Sequence, residues 1–286
     1  MNNLNLHILS PSKNTKRFFG VDYFMNILSG YNETFKYYST SLDANPVYLP
    51  GPTTMLEEKY RFLEAELATK EKGSIIGIQA NPDIYKGLDS LKRIIDLLTK
   101  FDMGLYIETT STKIIDDFEL LKVFSEDHPL LIAISSTAST IDSKLFEHDI
   151  KIDNTIKIIQ KARSYKLNVG LLVKPIVPFI NDKPADFKVL IEKAITAGTS
   201  YIYPSFSLKF DSKKIKEFYN IIDLEFPELM NKFHDLYGYK TTWESKNASE
   251  LKKNYVIICR KNKVLYAMKD IINLYKPDLN IQMKLF

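Results

Sequence analysis

Six short apolar runs, each followed by a longer stretch of helical character, set the architecture open to this chain. The runs are residues 21–28, 74–79, 104–109, 130–136, 168–177 and 200–207. Helical stretches are read at 53–72, 87–101, 115–126, 153–165 and 184–197, with more helix over 218–237 broken by Pro227. Leu91, Ile94, Ile95 and Leu98 make one apolar helix face; Ile156, Ile159 and Ala162 make another. Asp153 is placed to cap the helix it opens. Such strand–helix alternation argues for an α/β fold with a parallel sheet and crossover helices. With 286 residues, 45% of them hydrophobic, the chain can bury one large core or two small ones. No repeat or linker-like stretch divides it, so one domain over residues 1–286 is expected. The lysine-rich segment 240–253 is polar and weakly patterned, and is expected to be a mobile excursion.

Cysteine usage narrows the chemistry. The one cysteine, Cys259, lies in an apolar run, where a thiol is expected to be buried and inert; no intrachain disulfide or cysteine cluster can form. His7, His128, His148 and His234 lack metal-ligand spacing, so no metal site is expected. Gly51-Pro52-Thr53-Thr54 has neither the glycine spacing nor the lysine of a phosphate-binding loop. Residues 1–16 are polar, and apolar runs such as 129–134 are too short to cross a bilayer. The expectation is a cytoplasmic protein without membrane contact. A net charge of +4 permits nucleic acid or acidic partners without requiring them.

The most specific motif is Asn26-Ile27-Leu28-Ser29-Gly30-Tyr31-Asn32-Glu33-Thr34-Phe35-Lys36-Tyr37-Tyr38. It resembles the loop of radical S-adenosylmethionine (SAM) enzymes of the spore photoproduct lyase-like group, Asn-Pro-Tyr-x-Gly-Cys-x-x-x-Cys-x-x-Cys, which holds a four-iron four-sulfur cluster. Tyr31, Phe35 and Tyr38 stand at the three cysteine positions. The likeness extends along most of the chain. It takes in Ile8 to Lys13 with Asp22-Tyr23, Asn81-Pro82, Thr109-Thr110-Ser111, Asp117 to Leu121, Ile134 to Thr137, and Pro175 to Pro178 with Asn181-Asp182. Beyond Tyr237 it becomes vague. The resemblance implies a partial, open (β/α)6 parallel barrel of radical SAM type over residues 1–210. A mostly helical C-terminal extension would follow over 211–286, with the site at the C-terminal ends of the strands.

Members of that group cleave SAM reductively through the cluster, and some act on nucleic acid. This sequence departs from them where that chemistry is anchored. Iron–sulfur clusters require thiolate ligands, which phenol and benzyl side chains do not replace. The lysine of the Thr-Lys-Ser element is Thr110, and the basic residue before the Asp-x-Asp-Leu-Leu element is Asp116. The Glu-Pro-Arg whose arginine helps hold SAM reads Glu147-His148-Asp149, exchanging attraction for the SAM carboxylate for repulsion. No cofactor is therefore expected: the cluster lacks its ligands and SAM lacks two anchors.

Candidate residues each admit two readings. Tyr31, Phe35 and Tyr38 make either a stacking platform for a flat ligand or filling for the space a cluster would occupy. Gln79, Asn81, Glu108, Ser135, Ser136, Lys174, Tyr203 and Ser205 fall near strand C-termini, the default ligand-binding positions of a barrel. Glu108 and Lys174 serve there as catalytic acid and base, or as an ion pair that makes their burial tolerable. Lys209, Lys213, Lys214 and Lys216, with Lys252, Lys253, Arg260, Lys261 and Lys263, form either a nucleic-acid face or ordinary solvated helix surface, diluted by Asp211, Glu217 and Glu250. Three functions follow from these readings. The first is a cluster-free pseudoenzyme that binds or regulates a protein partner or nucleic acid. The second is an enzyme with replaced, non-radical chemistry at the barrel mouth. The third is a nucleic-acid-binding module.

Overall fold

The structure, a computed structural model, describes residues 7–15, 18–28, 56–80, 83–137, 152–210 and 212–276. Strand β1 (Leu9–Pro11) runs antiparallel to β2 (Tyr23–Met25). From β2 onward the sheet is parallel and in chain order through β3 (Ile75–Ile78), β4 (Gly104–Thr109), β5 (Leu130–Ser136), β6 (Val169–Val173) and β7 (Tyr201–Pro204). The first and last strands do not pair, so the six parallel strands form an open, partial barrel. Helices α1 (Leu56–Leu67), α2 (Lys92–Lys100), α3 (Phe118–Asp127), α4 (Ile152–Ser164) and α5 (Pro184–Ala197) are the crossovers.

Strands β3 to β6 are buried along their whole length, as covering on both faces demands. Alternation divides their side chains between two cores. Ile76, Ile78, Ile107, Ile134, Leu171 and Ile202 pack outward against the crossover helices. Ile75, Tyr106, Leu131, Ala133, Leu172 and Tyr201 pack inward with Phe18, Phe19, Val21 and Phe24. A side chain at Gly170 would not fit: its Cβ would lie 2.2 Å from the Tyr201 ring. That ring crosses β6, and its hydroxyl donates to the Ile132 carbonyl of β5 at 2.9 Å.

After β7 the chain leaves the barrel through β8 (Ser207–Lys209), α6 (Ser212–Glu225), a 3-10 turn at Pro227–Leu229, α7 (Met230–Leu236) and β9 (Thr242–Glu244). Strands β8 and β9 pair antiparallel, with Leu208 opposite Trp243. This insertion has its own core. Trp243 is fully buried among Phe210, Phe218, Tyr219, Phe233 and Tyr237, and the cluster rests on Val177 and Ile180 of the loop after β6. Helix α8 (Ala248–Lys261) then rejoins the outer layer through Leu251, Tyr255 and Cys259, packing beside α5.

Past α8, Leu265 bridges to Tyr201 in parallel. Helix α9 (Met268–Tyr275) places Ile271 and Tyr275 in the inward core. The Tyr275 hydroxyl donates to the Phe19 carbonyl, and Lys276 reaches the Asp22 carboxylate at 3.1 Å. Gly20 leaves this approach open: its φ is +77°, and a Cβ there would meet Tyr275 and Ile272. The C-terminal segment thus spans from the last strand to the chain just before β2.

Several sequence expectations change. Segment 240–253 is not an excursion; it holds β9, the fully buried Trp243 and the first turns of α8. Asp153 lies inside the first turn of α4, which begins at Ile152, instead of capping it. The run 168–177 ends as strand at Val173 and turns through a cis Lys174–Pro175 bond. The run 200–207 divides between β7 and β8, because the chain changes sheets after Pro204. The C-terminal region is mostly helical, as expected, with α6, α7, α8 and α9; β9 is its one strand among the described residues, and α8 belongs to the barrel's outer layer.

Candidate functional site

The inward parity that seats Tyr106 and Leu172 continues to the strand ends. It brings Gln79, Glu108, Ser135 and Lys174, from β3 to β6 and their exits, to one rim of the barrel. Ser135 Oγ donates to Glu108 Oε1 at 2.6 Å, and Lys174 Nζ reaches the same carboxylate at 2.8 Å. The Glu108 and Lys174 side chains are 2% and 11% exposed. A buried pair of this kind is sustained only by close geometry and further hydrogen bonds, and Ser135 supplies one.

Lys174 is aimed by backbone constraints on both sides. Its N–H donates to the Ser136 carbonyl at 3.0 Å. Beyond the cis bond to Pro175, Asn181 Oδ1 accepts from Val177 N at 2.6 Å, while its Nδ2 donates to the Pro175 carbonyl at 3.0 Å. Asp182 fixes the same loop, accepting from Phe179 N at 3.0 Å and from Ser245 Oγ of the insertion at 2.6 Å. The β6 exit and the insertion are therefore one braced unit.

Beneath the pair lies Tyr106, 2% exposed, its ring stacked on Phe19 at 5.1 Å. Burial, then the nearby Glu108 charge, push its phenol well above the usual range. The Tyr106 hydroxyl lies beside the Glu108 carboxylate, whereas the Gln79 Nε2 is buried without a hydrogen-bond partner among the described residues. Gln79, Lys174, Tyr203 and Ser205 are half-buried and edge the fully buried Glu108 and Ser135. Tyr203 meets Phe19 edge-on at 5.4 Å, and Ser205 Oγ donates to the Ser207 carbonyl at 3.2 Å.

Not every expected residue joins this rim. Ser136 follows an inward residue, so alternation turns it toward the outer face, where its hydroxyl lies 3.5 Å from the Thr137 carbonyl. Asn81, the aromatic positions Tyr31, Phe35 and Tyr38, and Glu147-His148-Asp149 lie outside the described residues. Lys252, Lys253, Arg260 and Lys261 run along the exposed side of α8, with Lys263 in the turn after it. They belong to the outer helical layer and not to the strand ends.

Sequence reasoning missed Asp83, which is 1% exposed. It accepts from Thr109 Oγ1 at 2.8 Å, Thr110 N at 2.7 Å, Thr110 Oγ1 at 3.0 Å and Tyr85 N at 3.1 Å. Thr110, in the position of the group's lysine, is thereby committed to holding a loop. Asp117 is saturated in the same way by Tyr85 Oη at 2.9 Å, Ser90 Oγ at 2.6 Å and Leu91 N at 3.0 Å. The available signal was a turn residue, Asp83, after the strand that pairs with the one ending in the Thr109-Thr110-Ser111 run.

Among the described residues no set of thiolates is placed to hold an iron–sulfur cluster. Cys259 sits in the outer core on α8, with burial pushing its thiol up to about 12. No group of three or more His, Cys, Asp or Glu among the described residues is arranged to hold a metal ion. No helix among those residues is long and apolar enough to cross a membrane.

No protein-family model matches the chain, and no curated protein does. Solved structures of spore photoproduct lyase, the group the 26–38 loop resembles, do align with it. A mutant with bound AdoMet and dinucleoside spore photoproduct is 13% identical at a TM-score of 0.48, covering 77% of this chain and 64% of that one. The lyase complexed with dinucleoside spore photoproduct is 13% identical at a TM-score of 0.47, covering 82% and 67%. A further mutant is 15% identical at 0.49, covering 85% and 70%. The chain thus spans about two thirds of the length of these proteins, and 64% of the first.

Proposed function

We propose that this chain is a radical SAM-type barrel working without an iron–sulfur cluster, a single-domain pseudoenzyme whose barrel mouth binds a ligand or partner. One observation carries the reading: the chain has a single cysteine, and that thiol is buried in the outer layer with its acidity suppressed. Three thiolates at one loop are what such a cluster needs. The engagement of Thr110 by Asp83 supports the same reading, as it removes that position from ligand anchoring.

Replaced chemistry at the mouth is less well supported. Glu108 and Lys174 both face inward, but each is committed to the other, and Phe19, Tyr106 and Tyr201 fill the interior below. Freeing one member of a buried pair costs about 3–5 kcal/mol. A nucleic-acid role has no support at the mouth: Lys252, Lys253, Arg260 and Lys261 lie on α8 with Lys263 just after it, and Lys209, Lys213, Lys214 and Lys216 lie on β8 and α6.

Anaerobic reconstitution with iron and sulfide tests the proposal. The purified protein is expected to carry no stoichiometric iron and no sulfur-to-iron charge-transfer absorption. Stoichiometric iron, or cleavage of SAM to a deoxyadenosyl product, would overturn it.

A further inference from the structure

We propose that the insertion is a latch for the barrel mouth. While its core is closed it holds the β6 exit loop, and through that loop it seats Lys174 on Glu108; when it opens, the pair is released. This goes beyond the binding role proposed above and does not depend on it. The loop is shared between two cores. Lys174 belongs to the barrel, through its N–H to the Ser136 carbonyl at 3.0 Å and its Nζ to the Glu108 carboxylate at 2.8 Å. Ile176 is seated in the outer barrel core, and from there the loop turns to the insertion. Val177 and Ile180 are buried with Trp243, and the Phe179 ring meets Phe233 edge-on at 5.2 Å. Asn181 ties the two stretches together, accepting from Val177 N and donating to the Pro175 carbonyl.

Two features make this loop a movable part as well as a brace. Phe179 has a φ of +67°, a left-handed conformation that a bulky side chain keeps only while its surroundings impose it. The insertion helps to impose it. Asp182 accepts from Phe179 N at 3.0 Å, and the same carboxylate is held by Ser245 Oγ, just after β9, at 2.6 Å. The insertion's core is also small and separate, closed by a pair of three-residue strands. Small cores open locally more readily than the sheet that carries them. Opening removes the Ser245 hold on Asp182 and the Phe233 contact together, so Phe179 relaxes and the loop back to Lys174 loses its far anchor. The latch thus decides whether Lys174 and Glu108 meet each other or are free to meet another molecule.

The test follows single lysines of the full chain by mass spectrometry during limited reductive dimethylation. Lys276, paired with Asp22 at 3.1 Å, is the control, because that pair has no part in the insertion. In the wild type Lys174 is expected to label far more slowly than the exposed Lys252. Trp243→Ala, which opens the insertion, is expected to speed Lys174 labelling about tenfold or more with Lys276 unchanged, because labelling follows the open population. Ser245→Ala, a milder change at Asp182, is expected to speed it several-fold and gives the same reading should Trp243→Ala fold poorly. Hydrogen exchange over β8, α6, α7 and β9 reports separately that the insertion has opened. Lys174 labelling at the wild-type rate while that exchange rises would overturn the latch. So would Lys174 and Lys276 rising together, insertion exchange that neither variant raises, or wild-type Lys174 labelling as fast as Lys252.

Discussion

Glu108 and Lys174 carry the sharpest residue-scale expectation, because each is tolerable only with the other. Glu108→Gln strands a buried ammonium and is expected to destabilise the protein by about 3–5 kcal/mol in urea unfolding. Adding Lys174→Met should recover much of that loss, since an apolar replacement of both partners is often close to neutral. A double variant as unstable as the single would show that the pair does not act as a unit. Cys259 gives a pH-dependent expectation. An ordinary thiol titrates near ~8.5, whereas burial pushes this one up to about 12. Between those values the unfolded chain gives up its proton and the folded chain keeps it. The thiol's share of stability is therefore full below the lower value and declines as pH rises toward the upper. Native protein at pH 8 should resist iodoacetamide and take it up only on unfolding; rapid labelling of folded protein would contradict this. Glu108, Lys174 and Ser135 were legible because polar groups ending an apolar strand stand out. Ser136 misled for the same reason. Its strand is apolar on both faces, so nothing in the pattern says which of two adjacent serines turns inward.

Elements were easiest to place where helix and strand alternate. Strand β4 and helix α5 fall on the residues read from sequence, Gly104–Thr109 and Pro184–Ala197, and β5 does so at Leu130–Ser136. The insertion was harder. Its core depends on Trp243 and Leu208 meeting across a pair of three-residue strands 35 positions apart, and a segment that short shows no period. Trp243 stacks on Tyr237 at 4.9 Å and donates from Nε1 to the Lys240 carbonyl at 2.6 Å, so its loss removes the centre of that cluster. Trp243→Ala is expected to cost about 3–5 kcal/mol. Hydrogen exchange should rise across β8, α6, α7 and β9 while β3 to β6 stay protected. Loss of protection throughout the barrel would mean that the insertion has no separate stability.

At the scale of the whole molecule, the open barrel of parallel strands was legible, and the way its opening is bridged was not. The bridging contacts join residues more than 250 positions apart, Phe19 with Tyr275 and Asp22 with Lys276, and no local pattern announces them. Cutting the chain after Lys263 removes Ile271 and Tyr275 from the inward core and uncovers the outer edge of β7. The shortened protein is expected to melt well below the full chain, by more than the 4–8 °C that about 1 kcal/mol shifts a small domain. An unchanged melting temperature would show that α9 is an accessory.

That bridge also orders events during synthesis. Every strand of the sheet emerges from the ribosome before Ile271 and Tyr275 exist, so a nascent chain stalled near residue 263 carries a finished sheet whose hollow is still wet. Aromatic surface around Phe19 and Tyr201 would then be open to chaperones until the last helix arrives to seat it.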